Sequence, residues 1–140
     1  MKPVLFQEYV DTGKVKFVYK HMAILGQESM WAAEASECAA DQGKFWEYHD
    51  LLFSRQAGEN QGAFSKDNLK AFAADMKLDT AAFNTCLDSG KYTQLVTDQT
   101  NLGRGLGVQS TPTFAVNGQP VVGAIPYENF KQTIDELLAR

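Results

Sequence analysis

The stretch "QSTPTFAVNGQPVVG", residues 109–123, decides the fold of this chain. Its β-favouring run at 113–116 is followed by Asn117-Gly118, a dipeptide typical of two-residue hairpin turns, and residues 119–122 provide the returning strand. Pro112 stands directly before this hairpin. A proline at that position either marks the start of a strand in the trans form or adopts the cis form in a tight turn. The residues alone leave both alternatives open.

Composition and charge exclude several classes of protein. Of the 140 residues, 44% are hydrophobic and 21% are charged, which is ordinary for a globular domain. The net charge of −4 and the lack of a basic block predict no nucleic-acid partner. No apolar run approaches the roughly 18 residues that span a bilayer, so we expect no membrane span. Val4-Leu5-Phe6 is too short for the apolar core of a signal peptide, and we expect none in this chain.

Helical and extended patterns alternate along the chain. Leu5 and Tyr9 have helical spacing before Gly13, and residues 15–20 ("VKFVYK") alternate as a strand does. Residues 29–87 have helical patterns, with Ser65 and Asp79 as N-cap residues.

The end of the chain adds two helices around the hairpin. Residues 91–106 have near-heptad leucine spacing, and Pro126 fits the first turn of a last helix. A long helical block between β-elements predicts an α/β fold with an inserted helical subdomain.

Five segments carry a resemblance to a known family, and they occur in the family's order over nearly the whole chain. They are "GKVKFVYKH", "WAAEASECAADQGKFWEYHDLLF", "LDTAAFNTCLDSGKY", "LGVQSTPTFAVNG" and "VVGAIPYENF". Together they resemble the DsbA-like thiol–disulfide oxidoreductases, which have a thioredoxin fold with a helical insertion. The resemblance implies one domain over 1–140, with residues 1–27 and 91–140 as its thioredoxin-like part and residues 28–90 as the insertion.

The resemblance also implies a function and a site. It implies a cis Thr111-Pro112 bond and a substrate-binding surface at Ser110, Thr111 and Pro112, where an extended protein substrate with thiol groups pairs with the backbone. It places the protein in the periplasm or another extracytoplasmic compartment.

The chain departs from the family at the catalytic motif. The family reacts through a C-x-x-C pair at the start of its first helix, where the helix N-terminus lowers the thiol pKa. This sequence has no such pair, so we assign no catalytic residue and leave enzymatic activity uncertain. Against the family pattern Met1 falls inside that first helix. We therefore expect an N-terminally truncated member whose C-x-x-C segment and first core strand lie upstream.

The two cysteines have a different role from a catalytic pair. Cys38 and Cys86 match cysteines of the family's helical block, and we expect them to be neighbours, either as a structural disulfide or as buried thiols. Together with His21 and His49 they do not form a zinc pattern, and we expect no metal and no cofactor. We expect His21 in a loop and His49 at the core or its boundary.

The first core strand would lie between residues 15–20 and residues 113–117. We expect those two segments to be parallel elements of one sheet, with 113–117 and 121–123 as the antiparallel hairpin. Two outcomes compete for the gap: direct pairing of the two segments in a monomer, or pairing with a second copy in a homodimer.

Three functions remain open. The first is a DsbA-like oxidoreductase domain that is inactive as this chain. The second is a non-catalytic thioredoxin-like module that binds a peptide or a partner. The third is a glutathione-using relative with a DsbA-like fold.

Overall fold

The computed structural model describes residues 2–140, which form two compact units. One unit consists of the chain up to Lys20 together with Arg104–Arg140, and the other of His21–Gly103. We call them the hairpin unit and the helical unit. The insertion bounds expected from the sequence, 28–90, are narrower than the helical unit, and they stay a prediction.

The helical unit contains α2 (Gln27–Ala40), α3 (Phe45–Ser54), α4 (Lys66–Asp75) and α5 (Thr80–Asp88), together with α6 (Thr93–Gly105) up to Gly103. Two of its N-caps are those expected from the sequence. The Ser65 side chain accepts a hydrogen bond from the Asn68 backbone N–H at 3.3 Å, and Asp79 accepts one from Ala82 at 3.1 Å. These bonds satisfy backbone donors that a helix start leaves without a partner.

Apolar faces of α2, α3, α4 and α5 enclose the core of the helical unit. Its buried members are Ala35, Cys38, Ala39, Tyr48, Leu69, Phe72, Ala73, Phe83, Cys86 and Leu87. Tyr48 and Phe83 are its largest fully buried side chains, and their ring centroids lie 5.5 Å apart. A contact of this kind, with tilted rings, adds to the stabilisation that burial provides.

The hairpin unit begins with α1 (Lys2–Leu5), which continues as a π-helical turn over Phe6–Val10. It also contains β1 (Thr113–Val116), β2 (Gln119–Val122) and α7 (Tyr127–Leu138). Its core consists of buried side chains from α1, the π-helical turn and α7, namely Leu5, Tyr9, Phe130 and Ile134. The ring of Phe114, on β1, packs edge-on against Phe130 with centroids 4.8 Å apart.

Strands β1 and β2 form the hairpin that the sequence predicts. They pair antiparallel from Thr113 opposite Val122 to Val116 opposite Gln119. Asn117 and Gly118 have φ angles of 48° and 83°, as both central residues of a type I′ turn require. The strands are slightly shifted from the expected 113–117 and 121–123.

The expected strand at 15–20 is not formed. The segment has no regular secondary structure, and the sheet of the described residues has two strands, β1 and β2. Burial still alternates, because Val15 and Phe17 are half-buried and pack against the hairpin-unit core while Lys16 and Val18 are exposed. An extended segment becomes a strand only through a ladder with a neighbour. Two expectations are therefore wrong for residues 2–140: that 15–20 and 113–117 are parallel strands of one sheet, and that these two segments pair directly.

Candidate functional site

The segment Ser110-Thr111-Pro112 lies at the entrance to β1. All three residues are exposed, and the Thr111–Pro112 peptide bond is cis, as the resemblance implied. Thr113 Oγ1 donates a hydrogen bond to the Ser110 carbonyl at 2.7 Å, and the Gly123 N–H donates to the Pro112 carbonyl at 2.8 Å. These two bonds fix the segment to the base of the hairpin. Its role in substrate binding stays a prediction.

The register of the hairpin determines what each edge offers. Because the Gly123 N–H bonds to the Pro112 carbonyl, this pair is of the hydrogen-bonded kind, and antiparallel pairs alternate in kind along the ladder. Thr113 and Ala115 therefore direct their N–H and C=O groups away from β2. No further strand is paired with this edge among residues 2–140. We call it the open edge of β1.

The outer edge of β2 has different chemistry. Pro120 lies opposite Ala115, in a pair that exchanges no ladder hydrogen bonds, so its missing N–H costs the hairpin nothing. The same geometry turns the proline nitrogen outward, where a further strand would need a donor. Proline is a residue that proteins use on edge strands. The β1 edge therefore keeps its outward N–H groups at Thr113 and Ala115, whereas the β2 edge lacks one at Pro120.

Cys38 and Cys86 form a disulfide, which is one of the two arrangements expected from the sequence; the other was a pair of buried thiols. The bond joins α2 to α5 with Cα atoms 5.8 Å apart, inside the usual range for a bridge. Both residues belong to the buried core of the helical unit. The sequence expectation that the two cysteines are neighbours is confirmed.

Polar groups surround the Cys86 end of this disulfide. Lys91 Nζ donates to Asp41 Oδ2 at 2.6 Å, and the Tyr92 hydroxyl donates to Asp41 Oδ1. The hydrogen bonds from Lys91 and Tyr92 lower the pKa of the Asp41 carboxyl. The same bond to Asp41 raises the pKa of Lys91. Asp41 is therefore a carboxylate at neutral pH, with its partners on the segment that follows α5.

The burial of His21 was not predicted from the sequence. It lies in a loop, as expected, but is only 5% exposed, and its Nε2 lies 2.7 Å from Glu37 Oε1. Its backbone N–H donates to Gln99 Oε1 at 2.8 Å. No local signal identifies this placement, since the contacting residues lie on α2 and α6. His49 lies at the boundary of the core, as expected, with its ring 4.8 Å from that of Phe53.

A polar cluster in the hairpin unit connects the π-helical turn to α7. Glu8 Oε2 accepts hydrogen bonds from Lys131 Nζ at 2.7 Å and from the Tyr127 hydroxyl at 2.9 Å, and these bonds lower the pKa of Glu8. Desolvation, followed by the bond to Glu8, raises the pKa of Tyr127 to about 12. The Tyr9 hydroxyl donates to Asp135 at 2.6 Å. These hydrogen bonds fix the position of the π-helical turn against α7.

Residues 2–140 were compared with the requirements of a membrane-spanning helix and of a metal site. No helix there combines the length and the apolar character needed to cross a membrane. No group of three or more His, Cys, Asp or Glu side chains is arranged to hold a metal ion.

Comparison with known proteins identifies the family. A family model described as thioredoxin matches residues 1–136. Disulfide bond formation protein D of Bacillus subtilis is 28% identical over 139 residues, which are 97% of this chain and 63% of that protein. The Na(+)/H(+) antiporter NhaA 1 of Salinispora arenicola is 28% identical over 140 residues, 99% of this chain and 21% of that protein.

A solved structure extends the likeness to three dimensions. The oxidised BdbD of Bacillus subtilis superimposes with a TM-score of 0.88 at 27% identity, covering 99% of this chain and 76% of that one. Among the curated relatives named above, the chain spans less than two thirds of each one's own length. It belongs to the thioredoxin family, among the DsbA-like thiol–disulfide oxidoreductases.

Proposed function

We propose that the chain is the substrate-facing part of a DsbA-like thiol–disulfide oxidoreductase acting on protein thiols. The observation that carries this proposal is the exposed segment Ser110-Thr111-Pro112, fixed to the base of β1 by two hydrogen bonds. An extended substrate segment would lie along Thr111. Backbone pairing of this kind recognises a peptide without requiring a particular sequence.

The reactive sulfur of such an enzyme is neither Cys38 nor Cys86. Exchange needs an accessible thiolate of low pKa, whereas both of these residues are buried and bonded to each other. We therefore expect no oxidase or reductase turnover from the 140-residue chain. Insulin reduction and dithiothreitol oxidation measure it. Multiple turnover that persists in a Cys38→Ser, Cys86→Ser variant would show that the chemistry does not depend on thiols of this chain.

Binding at 110–112 is tested separately from turnover. The probe is an extended peptide with an alkylated cysteine, added to the isotope-labelled chain and followed by NMR. We expect amide shifts at Ser110, Thr111 and Thr113. A control peptide with proline at alternate positions lacks the N–H donors and should give none. Equal shifts with both peptides, or shifts confined to other residues, would contradict backbone pairing.

The second candidate is a partner-binding module, and the open edge of β1 favours it. Thr113 and Ala115 present backbone donors and acceptors there, and the half-buried side chains of Phe114 and Val116 pack on the hairpin-unit core beside them. An edge of this kind is a template for another strand. We infer that a second copy supplies this strand, so that the chain forms a homodimer.

Two proline variants test the dimer. Ala115→Pro removes an outward N–H from the open edge, and Val122→Pro removes one from the outer edge of β2. Neither N–H belongs to the β1–β2 ladder, so the pair is matched. Light scattering over a range of concentrations should show a dimer for the unaltered chain and Val122→Pro, and a monomer for Ala115→Pro. A strictly monomeric unaltered chain would reject self-association.

We also propose an extracytoplasmic location. The Cys38–Cys86 disulfide supports it, because structural disulfides persist mainly in oxidising compartments. Alkylation of free thiols in intact cells, before lysis, tests this. Protein with no alkylated cysteine is expected, and two alkylated cysteines would contradict the location.

A further inference from the structure

A carboxylate lies next to Cys86, the more exposed residue of the disulfide. Asp41 Oδ2 is 3.9 Å from Cys86 Sγ. A bridged sulfur carries no proton, so this contact is not a hydrogen bond, and an anion stands beside an electrophilic sulfur. As whole residues Cys86 is 7% exposed and Cys38 1%, so Cys86 is the more accessible half of the bridge.

The local structure keeps that carboxylate in place. Asp41 caps the C-terminal end of α2, three residues beyond Cys38, and therefore lies on the same side of the helix as the disulfide. On the other chain segment, Gly90 adopts a φ of 65°, and the Lys91 N–H donates to the Cys86 carbonyl at 3.3 Å. This turn brings Lys91 back to Asp41, so that an ion pair joins α2 and α5 beside the covalent bond.

We propose that the Asp41 carboxylate slows the reduction of the Cys38–Cys86 disulfide by anionic reductants, because it repels them. Lys91 holds this carboxylate in place and partly neutralises its charge. Attack occurs at Cys86 Sγ, in line with the sulfur–sulfur bond, and an anionic reagent at this sulfur is close to the Asp41 carboxylate, 3.9 Å away. Cys38 is the leaving group and departs as a thiolate inside an apolar cluster. Poor leaving ability of this kind also slows exchange.

Two phosphines of different charge are suitable probes, because both reduce disulfides by one irreversible route. The phosphorus forms a bond to Cys86 Sγ while the sulfur–sulfur bond breaks, and Cys38 leaves as a thiolate that takes a proton from water. Water then displaces the Cys86 thiol from phosphorus and leaves a phosphine oxide. The disulfide gains two electrons, and phosphorus loses two. Tris(2-carboxyethyl)phosphine carries three carboxylates at neutral pH, and tris(3-hydroxypropyl)phosphine carries none.

The measured quantity is the ratio of the two reduction rates, anionic over neutral, followed by maleimide labelling and mass spectrometry. Asp41→Asn leaves the Lys91 cation without its counter-charge, so we expect the ratio to rise about five-fold at low salt. Lys91→Gln leaves the carboxylate uncompensated, so we expect the ratio to fall by about two-fold or more. Both effects should shrink in 0.5 M salt.

A matched control uses Asp75→Asn. It changes net charge as Asp41→Asn does and breaks an exposed ion pair with Arg55 in the same unit, so the ratio should stay unchanged. If Asp41 and Lys91 only cover the sulfur, both variants speed both phosphines in proportion, and the unchanged ratio overturns the proposal. A ratio that responds equally to Asp75→Asn also overturns it, because the effect would then come from net charge.

Discussion

The Tyr48 hydroxyl donates a hydrogen bond to the Leu69 carbonyl at 2.8 Å, and both residues are fully buried. The bond connects α3 to α4 inside the core of the helical unit. Tyr48→Phe keeps the ring and removes the donor, so the carbonyl loses a partner in a site that water does not reach. We expect a loss of about 1 kcal/mol in the free energy of unfolding, measured in urea. Tyr48→Leu also removes the ring and should cost more, and equal stabilities for all three proteins would contradict the role of the bond.

The disulfide contributes stability through the length of chain that it closes. Cys38 and Cys86 are 48 positions apart. In the chain-entropy description, the double variant Cys38→Ala, Cys86→Ala should lose about 4 kcal/mol. Chemical reduction of the unaltered chain should lower the urea midpoint in the same direction. A double variant as stable as the parent would contradict this contribution.

Hydrogen bonds to the Glu28 side chain connect the loop between α3 and α4 to the start of α2. Its carboxylate accepts hydrogen bonds from the backbone N–H groups of Gly62 at 2.7 Å and Phe64 at 2.9 Å. A glutamine has one acceptor oxygen and turns a donor toward the second N–H. We expect Glu28→Gln to cost about 2 kcal/mol and to speed hydrogen exchange at both amides. Glu59→Gln, an exposed change in the same loop, is the control and should leave their exchange unaltered.

Glu8 makes the stability of the hairpin unit depend on pH. Hydrogen bonds from Lys131 and Tyr127 lower its folded-state pKa below the ordinary value of 4.5. Its contribution is therefore fully present above pH 4.5 and is lost as the pH falls through the lowered pKa. We expect the parent to lose more stability than Glu8→Gln between pH 5 and pH 2 in thermal unfolding. Glu128→Gln, with the same change of charge on α7, should follow the parent curve.

Local patterns predicted the elements whose determinants lie within a few residues. Ser65 and Asp79 bond to donors three residues away, and Asn117-Gly118 closes its own hairpin, so each acts without distant partners. The cis bond before Pro112 and the bridge at Cys38 and Cys86 needed the family resemblance. Composition and spacing left the isomer and the pairing open.

Local patterns did not predict features that depend on residues far away in the sequence. Residues 15–20 alternate as a strand does, yet their conformation depends on a ladder that no local pattern supplies. The buried contact of His21 with Glu37 and the approach of Asp41 to Cys86 arise from helix packing. Neither pair is adjacent in sequence, and only the arrangement of α2, α5 and the connecting loops brings them together.

Pro120 also sets the symmetry of any assembly that the hairpin builds. Each copy has one edge able to accept a strand, at Thr113 and Ala115, and one edge that lacks a donor at Pro120. Two copies that meet through β1 occupy the same surface on both partners and exhaust it, which is a two-fold, self-limiting arrangement. A head-to-tail filament would need β2 to accept β1 in every step. The donor missing at Pro120 thus weighs against open-ended growth through β2.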